Sequence, residues 1–134
     1  GEAKAHTQAA LASLLDAVRP QEPYLDHLAV RLADRVDLVR VADVDWIEAS
    51  GNYVTVHAGG TRHLIRTSLT RVASRLDPRR FLRIPRSTVV HLDRVQSLVP
   101  ASHGDYTVVL RDGTTLNMSR TYREHLQRVL ELGF

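Results

Sequence analysis

Two dipeptides constrain what this chain can become more than any other feature. Gly59-Gly60 separates Tyr53–Ala58 from Thr61–Arg66, and Asp112-Gly113 lies between Tyr106–Leu110 and Thr115–Met118. Hairpin turns need positive φ at one or both central positions, which glycine, asparagine and aspartate tolerate, so each dipeptide predicts an antiparallel hairpin. For Gly59-Gly60 a two-residue loop pairs 58 with 61, 57 with 62 and 56 with 63. Because side chains alternate faces along a strand, His57 and His63 then lie on opposite sides of the sheet.

The same period of two continues along the chain. Leu28, Val30 and Leu32 fall on one side of a run broken at Asp34-Arg35, and Val36–Val41 forms the next strand. Ala42–Asp45 is a polar turn, and Trp46–Ala49, Phe81–Ile84, Thr88–His91 and Val95–Val99 are further strands. Between them, Leu69, Val72, Ala73 and Leu76 repeat at helical spacing, with Thr67 or Ser68 as N-cap and Pro78 closing the segment. A last helix opens with a capping box, Thr121 answered by Glu124, and aligns Tyr122, Leu126, Val129 and Leu130. About nine short strands against three helices predict a mainly β domain of antiparallel sheets bordered by helices, not a βαβ architecture.

The third helix is the first in sequence. Leu11, Leu14, Leu15 and Val18 make one apolar stripe over residues 7–19, followed by Pro20-Gln21-Glu22-Pro23. The expected organisation is a linker helix and linker over 1–23 and one domain over 24–134. The helix is either an attachment or dimer element outside the domain or a surface helix packed on it. Gly1 in place of methionine suggests either an added residue or a chain cut from a longer one.

Composition removes whole classes of function. The 134 residues include no cysteine, which excludes a disulfide scaffold, a zinc ribbon and a thiol nucleophile together. Apolar runs are a few residues long against about 20 for a membrane span, so the expectation is a cytoplasmic chain with no membrane partner. Seven histidines form no H-x-x-x-H or H-E-x-x-H pair, and no serine elbow or glycine-rich phosphate loop is present. Asp43 and Asp45 sit in a turn, where acidic residues form turns and caps. An enzyme, a metal site and a cofactor are therefore not expected.

Charge points elsewhere. The net +3 is uneven: residues 1–60 sum to −4, residues 95–134 to zero, and residues 62–94 to +7, with nine arginines against Asp77 and Asp93. Arginine's planar fork suits bidentate contacts to phosphate or guanine, which favours a polyanionic partner. Lys4 is the only lysine, so a general substitution of arginine for lysine also accounts for part of this pattern.

Three turns carry chemistry suited to nucleic acid. Ser50-Gly51-Asn52-Tyr53 offers an amide for an adenine edge and a phenol for phosphate or stacking. Pro85-Arg86-Ser87 offers a guanidinium and a hydroxyl, and Ser119-Arg120-Thr121-Tyr122-Arg123 offers two arginines beside a helix N-terminus. Each has a plainer role: Asn52 as a turn former, Tyr53 as a strand-end core residue, Thr121 as a cap. Arg71 and Arg75 fit a solvated helix face, and Trp46, Phe81 and Tyr106 fit the core.

Taken in order, the blocks Val44-Asp45-Trp46-Ile47-Glu48-Ala49-Ser50-Gly51-Asn52-Tyr53-Val54, Arg66-Thr67-Ser68-Leu69, Phe81 to Val90, Leu110-Arg111-Asp112-Gly113 and Met118-Ser119-Arg120 resemble the LytTR family of DNA-binding domains over about residues 27–131. The resemblance implies small antiparallel sheets in an elongated arrangement, with loops from one side entering successive major grooves of a direct-repeat duplex. It implies a bacterial transcription regulator, an upstream receiver domain of a two-component system, and a possible homodimer on DNA. Family contacts carry over to Asn52, Tyr53, Arg86, Ser87, Arg120, Thr121 and Arg123. Within that set, Arg86 and Asn52 are candidates for base edges, and Arg120, Arg123, Ser87 and Tyr53 for phosphate. Two positions depart from the family pattern: Pro85 replaces a histidine and cannot donate a hydrogen bond, and His91 replaces an asparagine. The competing expectation is a single-stranded RNA-binding β module, which needs exposed aromatics from a chain that is only 5% aromatic.

Overall fold

Ten short strands form three antiparallel sheets in a computed structural model, which describes residues 24–84 and 86–130. The amphipathic segment 7–19 and the linker 20–23 lie outside the described residues. Strands β1 (His27–Arg31) and β2 (Val36–Arg40) make a two-stranded sheet. Five strands, β3 (Val44–Ser50), β4 (Tyr53–Ala58), β5 (Thr61–Ile65), β6 (Phe81–Arg83) and β7 (Thr88–His91), assemble in the order β5-β4-β3-β7-β6. The third sheet, ordered β10-β9-β8, contains β8 (Val95–Pro100), β9 (Tyr106–Leu110) and β10 (Thr115–Met118). Helix α1 (Leu69–Ser74) follows β5, and α2 (Arg120–Leu130) follows β10.

The hairpin logic of the sequence is visible in the register. Val56 pairs with His63, His57 with Arg62 and Ala58 with Thr61, so the two histidines occupy opposite faces as expected. Gly59 and Gly60 have φ of 57° and 82°, values that side chains with a Cβ rarely adopt. The second hairpin closes through three residues, 111–113, with only Gly113 at positive φ and Leu110 N–H bonded to the Thr114 carbonyl. That is a glycine-bulged loop, the next most common hairpin solution.

Alternation gives the five-stranded sheet two covered faces. On one, Ile47, Val54, Val56, Phe81 and Val89 pack with Leu28, Val30 and Val39 of the β1–β2 hairpin and Leu69 and Val72 of α1. On the other, Leu82, Ile84 and Val90 pack with Val108, Leu110 and Met118 of the third sheet and Leu126 of α2. Adjacent residues of β6 thus serve different cores: Phe81 belongs to the first, Leu82 to the second.

Several expectations need correction. The polar turn 42–45 is a 3-10 turn over Val41–Asp43, after which β3 begins at Val44 with a register irregularity before Trp46. Asp45 at that irregularity accepts the Gly59 N–H at 3.2 Å and pairs with Arg94 at 3.2 Å, so its side chain joins two turns. Ser68, not Thr67, caps α1, accepting the Arg71 N–H at 3.1 Å. Helix α2 starts at Arg120, placing Thr121 inside its first turn instead of at the cap. The Asp105 carboxylate accepts the Arg120 N–H at 3.0 Å, so a residue brought from the β8–β9 connection satisfies a helix-end donor that a local capping box would have left open. Leu32 lies beyond the end of β1 and is exposed. Trp46 and Phe81 both join cores as expected: Phe81 is buried in the first, and Trp46, half-buried, packs against the second and stacks on His57 with ring centroids 3.9 Å apart.

Candidate nucleic-acid interface

One end of the five-stranded sheet collects two of the three turns singled out above. The β3–β4 turn needs Gly51, at φ 61°, to reverse between Ser50 and Tyr53, which form the last pair of that ladder. Asn52 at its tip is exposed, and so is Tyr53, at 44%. On the neighbouring strand, the Ala49 N–H donates to the Ser87 carbonyl at 2.8 Å. This bond extends the β3–β7 ladder past its last pair, Glu48 with Thr88, and sets the β6–β7 turn beside the β3–β4 turn. Arg86 and Ser87 are both exposed there. The structure therefore brings Asn52, Tyr53, Arg86 and Ser87 to one rim.

Arg66 joins the same rim. The pair Val54 with Ile65 closes the β4–β5 register, so the next residue, Arg66, stands opposite Tyr53. In the sequence it is reached only through the hairpin register, counting outward from Gly59-Gly60 until it meets Tyr53. No aspartate or glutamate occurs between Glu48 and Asp77, or between Asp77 and Asp93, and Glu48, the acid next to this rim in β3, lies 3.1 Å from His57. Among the described residues, Arg35, Arg80 and Arg94 form ion pairs, whereas Arg66 and Arg86 have no carboxylate partner.

Arg120, Thr121 and Arg123 form a second group, at the β10–α2 junction beside the β8–β9 connection. Arg120 and Thr121 are exposed. Arg123 is half-buried with its guanidinium 5.7 Å from the centre of the Tyr106 ring, a cation–π distance that ties it to the third sheet. The same helix carries Tyr122 and Leu126 into the cluster that contains Ile84, two residues before Arg86. Packing thus links the second group to the first without merging them.

Of the two departures from the family pattern, Pro85 lies outside the described residues and His91 has a clear place. His91 is 4% exposed; its Nδ1 lies 2.7 Å from the Val44 carbonyl and its ring stacks on Phe81 with centroids 4.5 Å apart. It is a core residue that fastens β7 to the start of β3. No three His, Asp or Glu side chains among the described residues come together as a metal site.

A β domain of small stacked sheets that presents acid-free basic turns at one rim is the class these observations define. The sequence profile of the LytTr DNA-binding domain matches residues 34–131, and the chain belongs to that family. Its sequence is 23% identical over 105 residues to the sensory transduction protein LytT of Bacillus subtilis, covering 78% of this chain and 44% of that protein. It is 32% identical over 94 residues to the CO-responsive transcriptional regulator RcoM of Rhodospirillum rubrum, covering 69% of this chain and 40% of the relative. Over 122 residues it is 25% identical to the sensory transduction protein LytR of Streptococcus mutans, covering 91% and 50%. The chain spans half or less of the length of these relatives. A LytTr DNA-binding domain of known structure from Bacillus cereus superposes with a TM-score of 0.72 at 21% identity, over 82% of this chain and 99% of that one.

Proposed function

We propose that this chain is the sequence-specific duplex-DNA-binding part of a bacterial transcription regulator, with turns at one rim of the five-stranded sheet entering the major groove. The observation that carries the reading is the juxtaposition of Asn52 and Arg86, side chains suited to adenine and guanine edges, exposed on adjacent turns. Tyr53, Ser87 and Arg66 flank them as phosphate contacts, and Arg120 with Thr121 supplies a second contact near α2. Arg123, held over Tyr106, orients that junction and meets phosphate from its edge. The relatives, at least twice as long as the matched part, support a longer protein, and in this reading a receiver domain of a two-component system precedes this domain. Two domains then occupy a direct repeat in the cytoplasm, as a homodimer on DNA.

Single-stranded RNA is the weaker reading. Stacking platforms need several exposed rings side by side, yet at the rim only Tyr53 is exposed, while Trp46 leans on His57, Phe81 is buried, and Tyr106 and Tyr122 pack in a core cluster. Selection of bound sequences from random duplexes tests the proposal. An enriched motif repeated at about one helical turn supports it, and an output as random as the input, or competition of duplex by matched RNA, overturns it.

A further inference from the structure

The β6–β7 turn is pinned at three consecutive carbonyls. Thr88 O accepts the Ile84 N–H at 3.0 Å, which closes the hairpin; Ser87 O accepts the Ala49 N–H at 2.8 Å, which fixes it to β3. Arg86 O accepts the Nε–H of Arg83 at 2.7 Å. The third bond differs in kind from the other two because it comes from a side chain. The same guanidinium donates through Nη1 to the Thr70 hydroxyl at 3.0 Å, on the first turn of α1.

From this we infer that Arg83 is a positioning residue for DNA recognition: it holds the Arg86 backbone against α1 so that the Arg86 side chain projects from a fixed base. The inference rests on the duplex-DNA reading above and deepens it. Four points support a specific role. Arg83 is half-buried and alternates with Leu82 and Ile84, so its side chain leaves β6 on the face that α1 covers. The residue between Ile84 and Arg86 is proline, which has no N–H to contribute to the turn. Arginine's fork reaches two acceptors at once, whereas a lysine ammonium satisfies them only by choosing its geometry anew. Finally, a turn that presents a bidentate side chain has to be rigid, since loosened geometry forfeits the paired hydrogen bonds to guanine.

The test uses the whole chain, the duplex recovered by random-sequence selection, and a scrambled duplex of equal length. Arg83→Gln is expected to lower affinity for the selected duplex about tenfold, to leave affinity for the scrambled duplex within about twofold, and to leave the salt slope unchanged, because no phosphate contact is lost. Arg83→Lys is expected to fall between the wild type and Arg83→Gln. In an Arg86→Ala background, Arg83→Gln is expected to have almost no further effect, a non-additivity that a general loss of stability does not produce. Thr70→Val, which removes only the far anchor, reports on the same coupling should Arg83→Gln fold poorly, and a smaller loss confined to the selected duplex is expected. Equal losses on both duplexes with a slope reduced by about one identify Arg83 as a phosphate contact and overturn the inference. Additive losses with Arg86→Ala overturn it as well. A wild type that selects no sequence overturns the DNA reading itself, an outcome distinct from either.

Discussion

The two ends of the five-stranded sheet solve the problem of arginine differently. At the end opposite the candidate interface, arginines are spent on the protein. Arg94 pairs with Asp45 and donates to the Ala42 carbonyl at 2.9 Å, Arg80 lies 3.6 Å from Asp93, and Arg111 donates to the Asp93 carbonyl at 3.1 Å. At the interface end, Arg66 and Arg86 meet no carboxylate. Counting arginines treats both ends alike. The contrast shows that arginines of the +7 stretch differ in what they meet: Arg80 and Arg94 are neutralised at one end, Arg66 and Arg86 lie open at the other, and Arg83 between them is bonded to the protein. Only the open portion retains a field for a polyanion, because charges paired in the folded state project little beyond a Debye length.

If that division is right, substitutions at the two ends separate binding from stability. The largest expected effect is on binding. Arg86→Ala is expected to cost about 1–3 kcal/mol of affinity for the selected duplex and to relax preference at one base position, with a melting temperature close to that of the wild type. Equal weakening on selected and scrambled duplexes would reduce Arg86 to a phosphate contact.

The matching substitution at the braced end is Asp45→Ala. Its side chain, only 16% exposed, accepts from Gly59 and pairs with Arg94, so removal leaves the Gly59 N–H without its acceptor and the Arg94 guanidinium without its carboxylate. A loss of about 1–2 kcal/mol in folding stability is expected, measurable by urea denaturation, with affinity per folded molecule unchanged. A variant that stays as stable as the wild type but binds DNA poorly would place the interface at the wrong end.

Arg120 tests whether the open region extends past the rim. Arg120→Ala keeps the helix-end bond to Asp105, which uses the backbone N–H. It is expected to weaken selected and scrambled duplexes alike, by less than tenfold, and to reduce the salt slope by about one. An unchanged slope removes this junction from the interface.

The sequence discloses these two ends unequally. Local chemistry was legible: Gly59-Gly60 set the register that separates His57 from His63, and Ser68 was one of two caps named for α1. The rim turns were legible too, since Asn52 and Arg86 announce themselves as a turn amide and a turn guanidinium. The relations between them were not. The pairing of β3 with β7 joins residues about forty positions apart and rests on inserting a strand between two others, which no hairpin rule reaches. Asp105 capping Arg120, Asp45 bridging to Arg94 and Arg83 anchoring Arg86 are all of this kind. Thr121 fails as a cap for the same reason: the local candidate is visible in the sequence and the distant carboxylate is not.

The smallest expected effect belongs to Asp112, at the braced end, and its sign follows from its surroundings. The Thr114 N–H, 2.9 Å away, donates to its carboxylate and, with the Thr114 side chain, holds its pKa below the usual aspartate range. A depressed folded-state value means that the ionised form is favoured by folding. The stabilisation is thus complete above the unfolded aspartate value, near pH 4, and disappears as pH falls through the lower folded value. The group is exposed, so solvent screens the gain to a few tenths of a kcal/mol. Asp112→Ala is expected to unfold slightly more easily than the wild type at pH 7, with the difference shrinking below about pH 4, and to bind the selected duplex as the wild type does. A difference that grows in acid contradicts the hydrogen-bond account. A loss of DNA affinity contradicts the division between the two ends, because Asp112 shares a surface pocket with Asp45, Gly59, Gly60 and Arg94, far along the strands from Asn52 and Arg86.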